Sequence, residues 1–339
     1  MTMRTIVMAL AALAAGALPA QEPQGRAGGA RAPEVREWEV PYGARTRPRD
    51  PFADSRGHTW FVGQVGNYVA SLDPATGEFR RFTIDEGTNP HNLVVERGMV
   101  WITGNRNGRL VRLDPGTGKL TTYHIPDSTV RDPHTMVFDP VRHVAWFTAQ
   151  NSDAVGRFDP ETGAFRIWKT GARTRPYGIV LDAQGRPWFD LFGTNKLGTI
   201  DPVALTLATH ALPNDSTRPR RLVITASGQV FWGDYTRGYL GRLDPRTGAT
   251  KEWRMPAGSL SLPYGMAVDD RDVIWVAQTG QRGVAATIVG FDPRGERFVA
   301  EARVGRPEAN TIRHMTFDRA TRQLWFGTDQ GTIGRMIVP

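Results

Sequence analysis

The sequence predicts an all-β protein: a seven-bladed β-propeller whose blades are four-stranded antiparallel sheets. Three observations predict it: one strand-rich phrase recurs seven times, each copy carries turn residues at fixed points, and no helical stripe interrupts the pattern. The phrase is a pair of aromatics, a Gly- and Asn-rich turn, Gly-Arg-apolar-Asp-Pro, then Thr-Gly and a short alternating run. It reads as Trp146-Phe147, Gly156-Arg157-Phe158-Asp159-Pro160, Thr162-Gly163, and again as Phe231-Trp232, Gly241-Arg242-Leu243-Asp244-Pro245, Thr247-Gly248.

Two anchors keep the same period. The first aromatic falls at Trp60, Trp101, Trp146, Trp188, Phe231, Trp275 and Trp325, in steps of 41, 45, 42, 43, 44 and 50 residues. The Asp-Pro pairs begin at Asp73, Asp114, Asp159, Asp201, Asp244 and Asp292, and the seventh copy ends instead in Gly334-Arg335-Met336. Within the second copy the strands are expected at 92–96, 99–103, 110–113 and 120–124. Asp-Pro followed by Thr-Gly is turn chemistry, because proline presets φ and glycine accepts conformations that other residues resist. A single such sheet cannot bury both faces, so successive sheets must stack around an axis, with the recurring tryptophans packed between blades. The last copy stops after its third strand. The segment 35–41 resembles a fourth strand such as Lys251-Glu252-Trp253-Arg254-Met255-Pro256, so the N-terminal segment is expected to complete the last blade, and truncation at either end to open an edge.

The domain plan is a signal peptide over 1–20, a Gly-, Ala- and Pro-rich lead-in over 21–33, and the propeller over 34–339. Arg4, the apolar run from Ile6 to Leu18 and the small residues before Gln21 read as a secretory leader, which implies a periplasmic or secreted protein. That run is short for a bilayer span and no later segment is longer and apolar, so no stable membrane insertion is expected. The chain has no cysteine, which excludes disulfides, a thiol nucleophile and thiolate metal ligands. A formal charge of +8 favours anionic partners. Without a dense basic run or a nucleic-acid module, nucleic acid is not among the expected partners. The partner expected is an anionic or ester-bearing small molecule, bound by a monomer.

The innermost strand of each copy is expected to begin at a short motif, usually with proline, that ends in a larger residue. Those residues are Phe52, His91, His134, Tyr177, Arg220, Tyr264 and His314, a ring around one mouth of the channel. A buried apolar core does not use His, Arg and Tyr at equivalent positions. The ring therefore reads as a site for a metal or an anionic or aromatic ligand, or else as the lining of a wet channel. The turn after the second strand returns to the same mouth and brings Asp234, Gln278, Gln150 and Asn105 as further ligand contacts, with Tyr177, Tyr264 and His314 from the ring. His91 and His134, on adjacent blades, are the metal-ligand candidates.

The phrases Arg175-Pro176-Tyr177-Gly178-Ile179, Trp188-Phe189, Gly241-Arg242-Leu243-Asp244-Pro245 and Leu262-Pro263-Tyr264-Gly265-Met266 resemble the streptogramin B lyase (virginiamycin B lyase) family over residues 34–339. The resemblance implies a seven-bladed propeller and opening of an antibiotic lactone by elimination, with Mg²⁺ and a histidine base. It places the family's Glu-Pro-His motif at Leu262, Pro263 and Tyr264, its second Glu at Gln278 and its earlier His at Arg220, so none of those ligands is retained. Asp132-Pro133-His134 mimics the motif in the third blade, with His91 one blade earlier.

Two functional readings follow. In the first, a carbon-oxygen lyase, His91 or His134 takes a proton α to an ester or lactone carbonyl, Asp132 orients the base, and Arg220 or a divalent metal stabilises the enolate. In the second, the ring binds an anionic or aromatic ligand without reaction, or the propeller docks a protein partner.

Overall fold

The computed structural model describes residues 33–43 and 45–339; the expected leader and all of the lead-in before residue 33 lie outside the described residues. Seven four-stranded antiparallel sheets are present, one per sequence repeat, and the only helix among the described residues is the 3₁₀ turn Gly258–Ser261. We number the blades 1 to 7 by their innermost strands: Pro48–Ala53, Pro90–Glu96, Pro133–Asp139, Pro176–Leu181, Pro219–Ile224, Met266–Val268 and Ile312–Asp318. Blade 2, with strands Pro90–Glu96, Met99–Gly104, Arg109–Leu113 and Leu120–His124, matches the expected spans to within two residues at each end.

The ring closes as the sequence predicts. Val35–Glu39 pairs antiparallel with Thr332–Ile337 as the outer strand of blade 7, and Trp38 stacks on Trp325 at 5.9 Å between ring centroids. Closure hides the ladder edges that an open sheet would expose.

The repeated phrase has a packing reason. In blades 3, 5 and 7 the second residue of the aromatic pair lies across the strand from the glycine of Gly-Arg, as Phe147 does from Gly156 and Trp232 from Gly241, and in blade 4 Phe189 faces Gly198 in the same way. Its ring occupies the place a Cβ would take on that glycine, so only glycine lets the two strands pair there. The Asp-Pro aspartates cap the next turn: Asp114 accepts from Gly116 N at 2.8 Å, and Gly118 takes φ +73°. Between blades lie seven apolar clusters. One joins Val94, Trp101 and Leu110 of blade 2 to Met136, Phe147 and Phe158 of blade 3. Side chains of neighbouring sheets thus bury one another's faces, and the inner strands are left to line the axis.

Candidate functional site

The mouth of the channel is built by a β-bulge repeated in six blades. Pairing of the two inner strands shifts register between Pro90 and Leu93, Pro133 and Met136, Pro176 and Ile179, Pro219 and Leu222, Arg49 and Phe52, and Ile312 and Met315. A bulge leaves extra residues unpaired and re-aims their side chains. Two consecutive positions per blade therefore reach the axis.

This register corrects the ring at two blades. Pro48 pairs with Gly63 as Pro90 pairs with Gly104, so Arg49 rather than Phe52 is the blade 1 member. Ile312 pairs with Thr328 in the proline position of blade 7, so Arg313 rather than His314 is the last member. The upper ring is Arg49, His91, His134, Tyr177, Arg220, Tyr264 and Arg313. One residue deeper lie Asp50, Asn92, Thr135, Gly178, Arg221, Gly265 and His314. Phe52 belongs a further step down the channel.

The upper ring divides into two halves. The rings of His91 and His134 lie 3.5 Å apart between centroids, tilted by 37°, His134 lies 4.0 Å from Tyr177, and His91 Nδ1 donates to the His134 carbonyl at 3.0 Å. Across the axis the hydroxyls of Tyr177 and Tyr264 share a hydrogen bond. The Arg220 guanidinium sits 3.9 Å from the Tyr264 ring centroid, 4.2 Å from Tyr235, 4.8 Å from Phe192 and 5.2 Å from Tyr177.

Charge is unequal at the mouth. Buried Arg49 donates to Asp50 at 2.8 Å and to Gln64 at 3.1 Å, while Arg221 reaches the same Asp50 at 3.7 Å. Arg313 grips Asp329 with two hydrogen bonds, and Arg47 stands 3.9 Å from that carboxylate. Among the described residues Arg220 has no ion-pair partner, and Arg49 Nη2, Arg220 Nε and Arg221 Nη2 are buried without a hydrogen-bond partner. Five guanidiniums thus face Asp50 and Asp329, an arrangement that favours an anion.

The titratable groups respond to this field. Burial and the neighbouring guanidiniums push His91 and His134 well below the ordinary imidazole value. Burial and Arg221 push His314 down to about 3. All three are neutral near pH 7 and are weak bases there. Burial alone would raise Tyr264, but the summed fields of Arg220, Arg49, Arg313 and Arg221 outweigh it and bring the phenol down to about 8. Burial and the charge of Tyr264 move Tyr177 the other way. Asp190, buried beneath the ring and accepting from Gly178 N at 2.9 Å, is raised well above the carboxylate range by burial.

Several expected contacts serve the scaffold. Asp132 does not reach His134; its carboxylate binds Asn151 N and the Ser152 backbone and hydroxyl, fixing the blade 3 loop. Asp234 is held by Arg237 and by the backbone of Arg218 and Thr236. Gln278 spends both ends of its amide, on Ala257 N and Thr287 Oγ1. Gln150 is half-buried on the same rim. Asn105 donates to the Asp132 and Pro133 carbonyls and, with Arg47, Gln64, Asn89, Arg106 and Asn151, lines a polar cavity of about 470 Å³ above blades 1 to 3.

The donor set does not fit Mg²⁺. No group of three or more His, Cys, Asp or Glu side chains among the described residues is placed to hold a metal ion. Leu262 offers no oxygen ligand, the Gln278 amide is spent, and His91 and His134 lie beside guanidiniums that repel a cation.

The profile of the virginiamycin B lyase family matches residues 94–338. This chain belongs to that family. Solved structures agree on the fold. A streptogramin B lyase superposes with a TM-score of 0.79 at 20% identity, covering 90% of this chain and 97% of the other. Virginiamycin B lyase from Staphylococcus aureus gives 0.80 at 17% identity, covering 91% and 100%, and so does a catalytically inactive variant of it with quinupristin. No curated protein sequence matches the chain. Within this virginiamycin B lyase family propeller, sequence reasoning missed Arg49, Asp50, Arg221 and Arg313. One signal could have found Arg49. It stands eleven residues before Trp60, as Tyr177, Arg220 and Tyr264 stand before Trp188, Phe231 and Trp275, whereas Phe52 stands eight before it.

Proposed function

We propose that this propeller binds an anionic small molecule at the mouth of its channel. The observation that carries the reading is Arg220: caged by four aromatic rings, it has no carboxylate partner among the described residues and an unpartnered Nε. A half-buried cation with a buried, unused N–H favours a bound anion to pair with it. The unpartnered Nη2 of Arg49 adds a second donor, and the aromatic rings suit a planar or aromatic anion. The test is calorimetric titration of the purified protein with benzoate and sulfate. Saturable binding is expected, and Arg220→Met should weaken it by roughly 10- to 150-fold, the worth of a charged hydrogen bond of about 1.5–3 kcal/mol. Wild-type affinity in Arg220→Met would sink the reading.

A second reading, a carbon-oxygen lyase, is favoured by the Tyr177 and Tyr264 hydroxyl contact beside Arg220. Tyr264 as phenolate takes the proton α to a carboxyl or ester carbonyl, and Arg220 and Arg49 stabilise the enolate that forms. The β carbon-oxygen bond then breaks with its electron pair on oxygen, Tyr177 protonates the leaving oxygen, and a conjugated alkene remains. Tyr264 takes the role the resemblance gives to a histidine, because His91 and His134 are held neutral and buried. Growth of alkene absorbance from ester or lactone substrates tests it: activity should vanish in Tyr264→Phe, persist in His134→Ala and ignore chelators. Product formation by Tyr264→Phe at the wild-type rate would exclude this base. The leader-like segment supports a site of action in the periplasm or outside the cell; mass spectrometry of the exported protein should find Gln21 at its N terminus.

A further inference from the structure

Below the mouth the channel changes character. The inner strands run from the mouth to the opposite face. Two residues beyond the lower ring they present Phe52, Val94, Val137, Val180, Val223 and Ala267, with Thr316 in the seventh blade. Side chains two apart on a strand share a face, so these residues form an almost wholly apolar wall. They enclose a cavity of about 350 Å³, within the size range of small-ligand pockets.

The two ends of this shaft are different. At the inner end it is lined by Arg221, His314, Asn92 and Thr135, and at the outer end it reaches the exposed Arg319 beside the turn of blade 7. It therefore opens on the face opposite the mouth. Arg221 is 3% exposed and donates to Thr135 Oγ1 at 3.0 Å and to the Arg313 carbonyl at 3.2 Å, but its Nη2 has no hydrogen-bond partner. His314 Nδ1 is likewise buried and unpartnered. Asp50 is shared between Arg49 and Arg221, so the closed end holds two guanidiniums for one carboxylate. The other groups packed there, Asn92 and Thr135, carry no charge, and Asn92 is already spent on Asp50 and Met136 N.

An apolar tube that ends in a guanidinium sharing its one carboxylate and keeping an unused N–H selects one kind of molecule. We propose that the shaft binds a linear amphiphilic monoanion, its carboxylate on Arg221 and His314 and its aliphatic chain along the valine wall, entering from the face opposite the mouth. The site is independent of the reading given to the upper ring, because its wall and its entrance share no residue with that ring.

The test is calorimetric titration of the whole protein with linear saturated carboxylates of increasing length, each below its micelle concentration, and with the matching alcohols. Affinity should rise about fourfold per added methylene, from roughly 0.8 kcal/mol of burial each, and level off once the shaft is full. The alcohols should bind at least about tenfold more weakly, for want of the charged hydrogen bond. Val137→Phe with Val180→Phe should abolish the length dependence while leaving benzoate binding at the mouth unchanged. Both wall positions are only half-buried, so the added rings have the shaft to fill. Arg221→Met should reduce the carboxylates to the level of the alcohols; where that variant melts early, the phenylalanine pair decides. Carboxylate affinity that ignores chain length, or that survives the phenylalanine pair, would overturn the proposal and leave a shaft that holds water alone.

Discussion

Deprotonation of Tyr264 should turn the mouth from an anion site into one that rejects anions. The phenol sits at about 8 because four guanidiniums outweigh its burial, and the nearest, Arg220, lies 3.9 Å from its ring. Below that pH the ring is neutral and the site keeps its surplus of positive charge. Above it a phenolate stands where it cancels part of the field a ligand would use. A negative charge about 6 Å from a bound anion, at an effective dielectric constant of about 20, costs roughly 3 kcal/mol. That is about a hundredfold in affinity. The dissociation constant for benzoate should be flat below about pH 7, then rise about tenfold per pH unit above 8 and level off some two decades higher. Linkage requires the converse, so saturating benzoate should move the phenolate midpoint, read by ultraviolet difference absorbance, upward by about two units. Tyr264→Phe should bind with no such pH dependence. A pH slope that persists in Tyr264→Phe, or wild-type affinity that climbs through pH 8, would refute the reasoning.

Other outcomes follow from the same structure. Chelation and added Mg²⁺ should change benzoate binding by less than about twofold, because the mouth offers no hard-oxygen donor set; stoichiometric metal that disappears in the His91→Ala/His134→Ala variant would contradict this. Trp38→Ala should lower the denaturant midpoint by the equivalent of about 3–5 kcal/mol, since this 8%-exposed indole stacks on Trp325 and seals blade 7. Stability should fall as pH drops below about 6.5, because His91, His134 and His314 stay neutral when folded and take a proton when unfolded. Asp190 and Asp132, whose carboxyls burial raises, hold their protons more tightly when folded and oppose part of that fall, so the slope stays below the three protons of the histidines. Urea unfolding at successive pH values should show that slope in the wild type and a smaller one in His134→Asn; a flat profile would exclude three neutral histidines.

The blades were legible in the sequence because their determinants are local. Gly156 must be glycine where Phe147 lies over it, Asp114 must cap its own turn, and both demands recur every forty-odd residues. Ring closure was legible for the same reason, Trp38 standing where Trp253 stands in blade 5. The site was legible only where proline marks the bulge without ambiguity. Blade 1 offers two prolines, Pro48 and Pro51, and blade 7 offers Ile312 instead, so the ring members there were displaced by three residues and by one. The roles of Asp132, Asp234 and Gln278 were not legible at all, since each depends on which loop folds back onto it: Asn151 and Ser152, Arg237, and Ala257.

The displaced assignments matter because they change the sign of the site. With Phe52 and His314 in the ring, three histidines and one arginine surround the mouth, and a metal is a natural occupant. With Arg49 and Arg313 in their places and Arg221 one step below, the same mouth gathers guanidiniums, and its histidines are forced neutral by the field they sit in. At Leu262 and Gln278, where the family resemblance expects carboxylates, there is nothing to balance that charge. A propeller supports either arrangement, because its blades are held by contacts between sheets in which the upper ring takes no part. What the ring can bind is therefore set by its axial residues alone, and here those residues carry guanidiniums that repel a divalent cation and buried N–H groups without a partner.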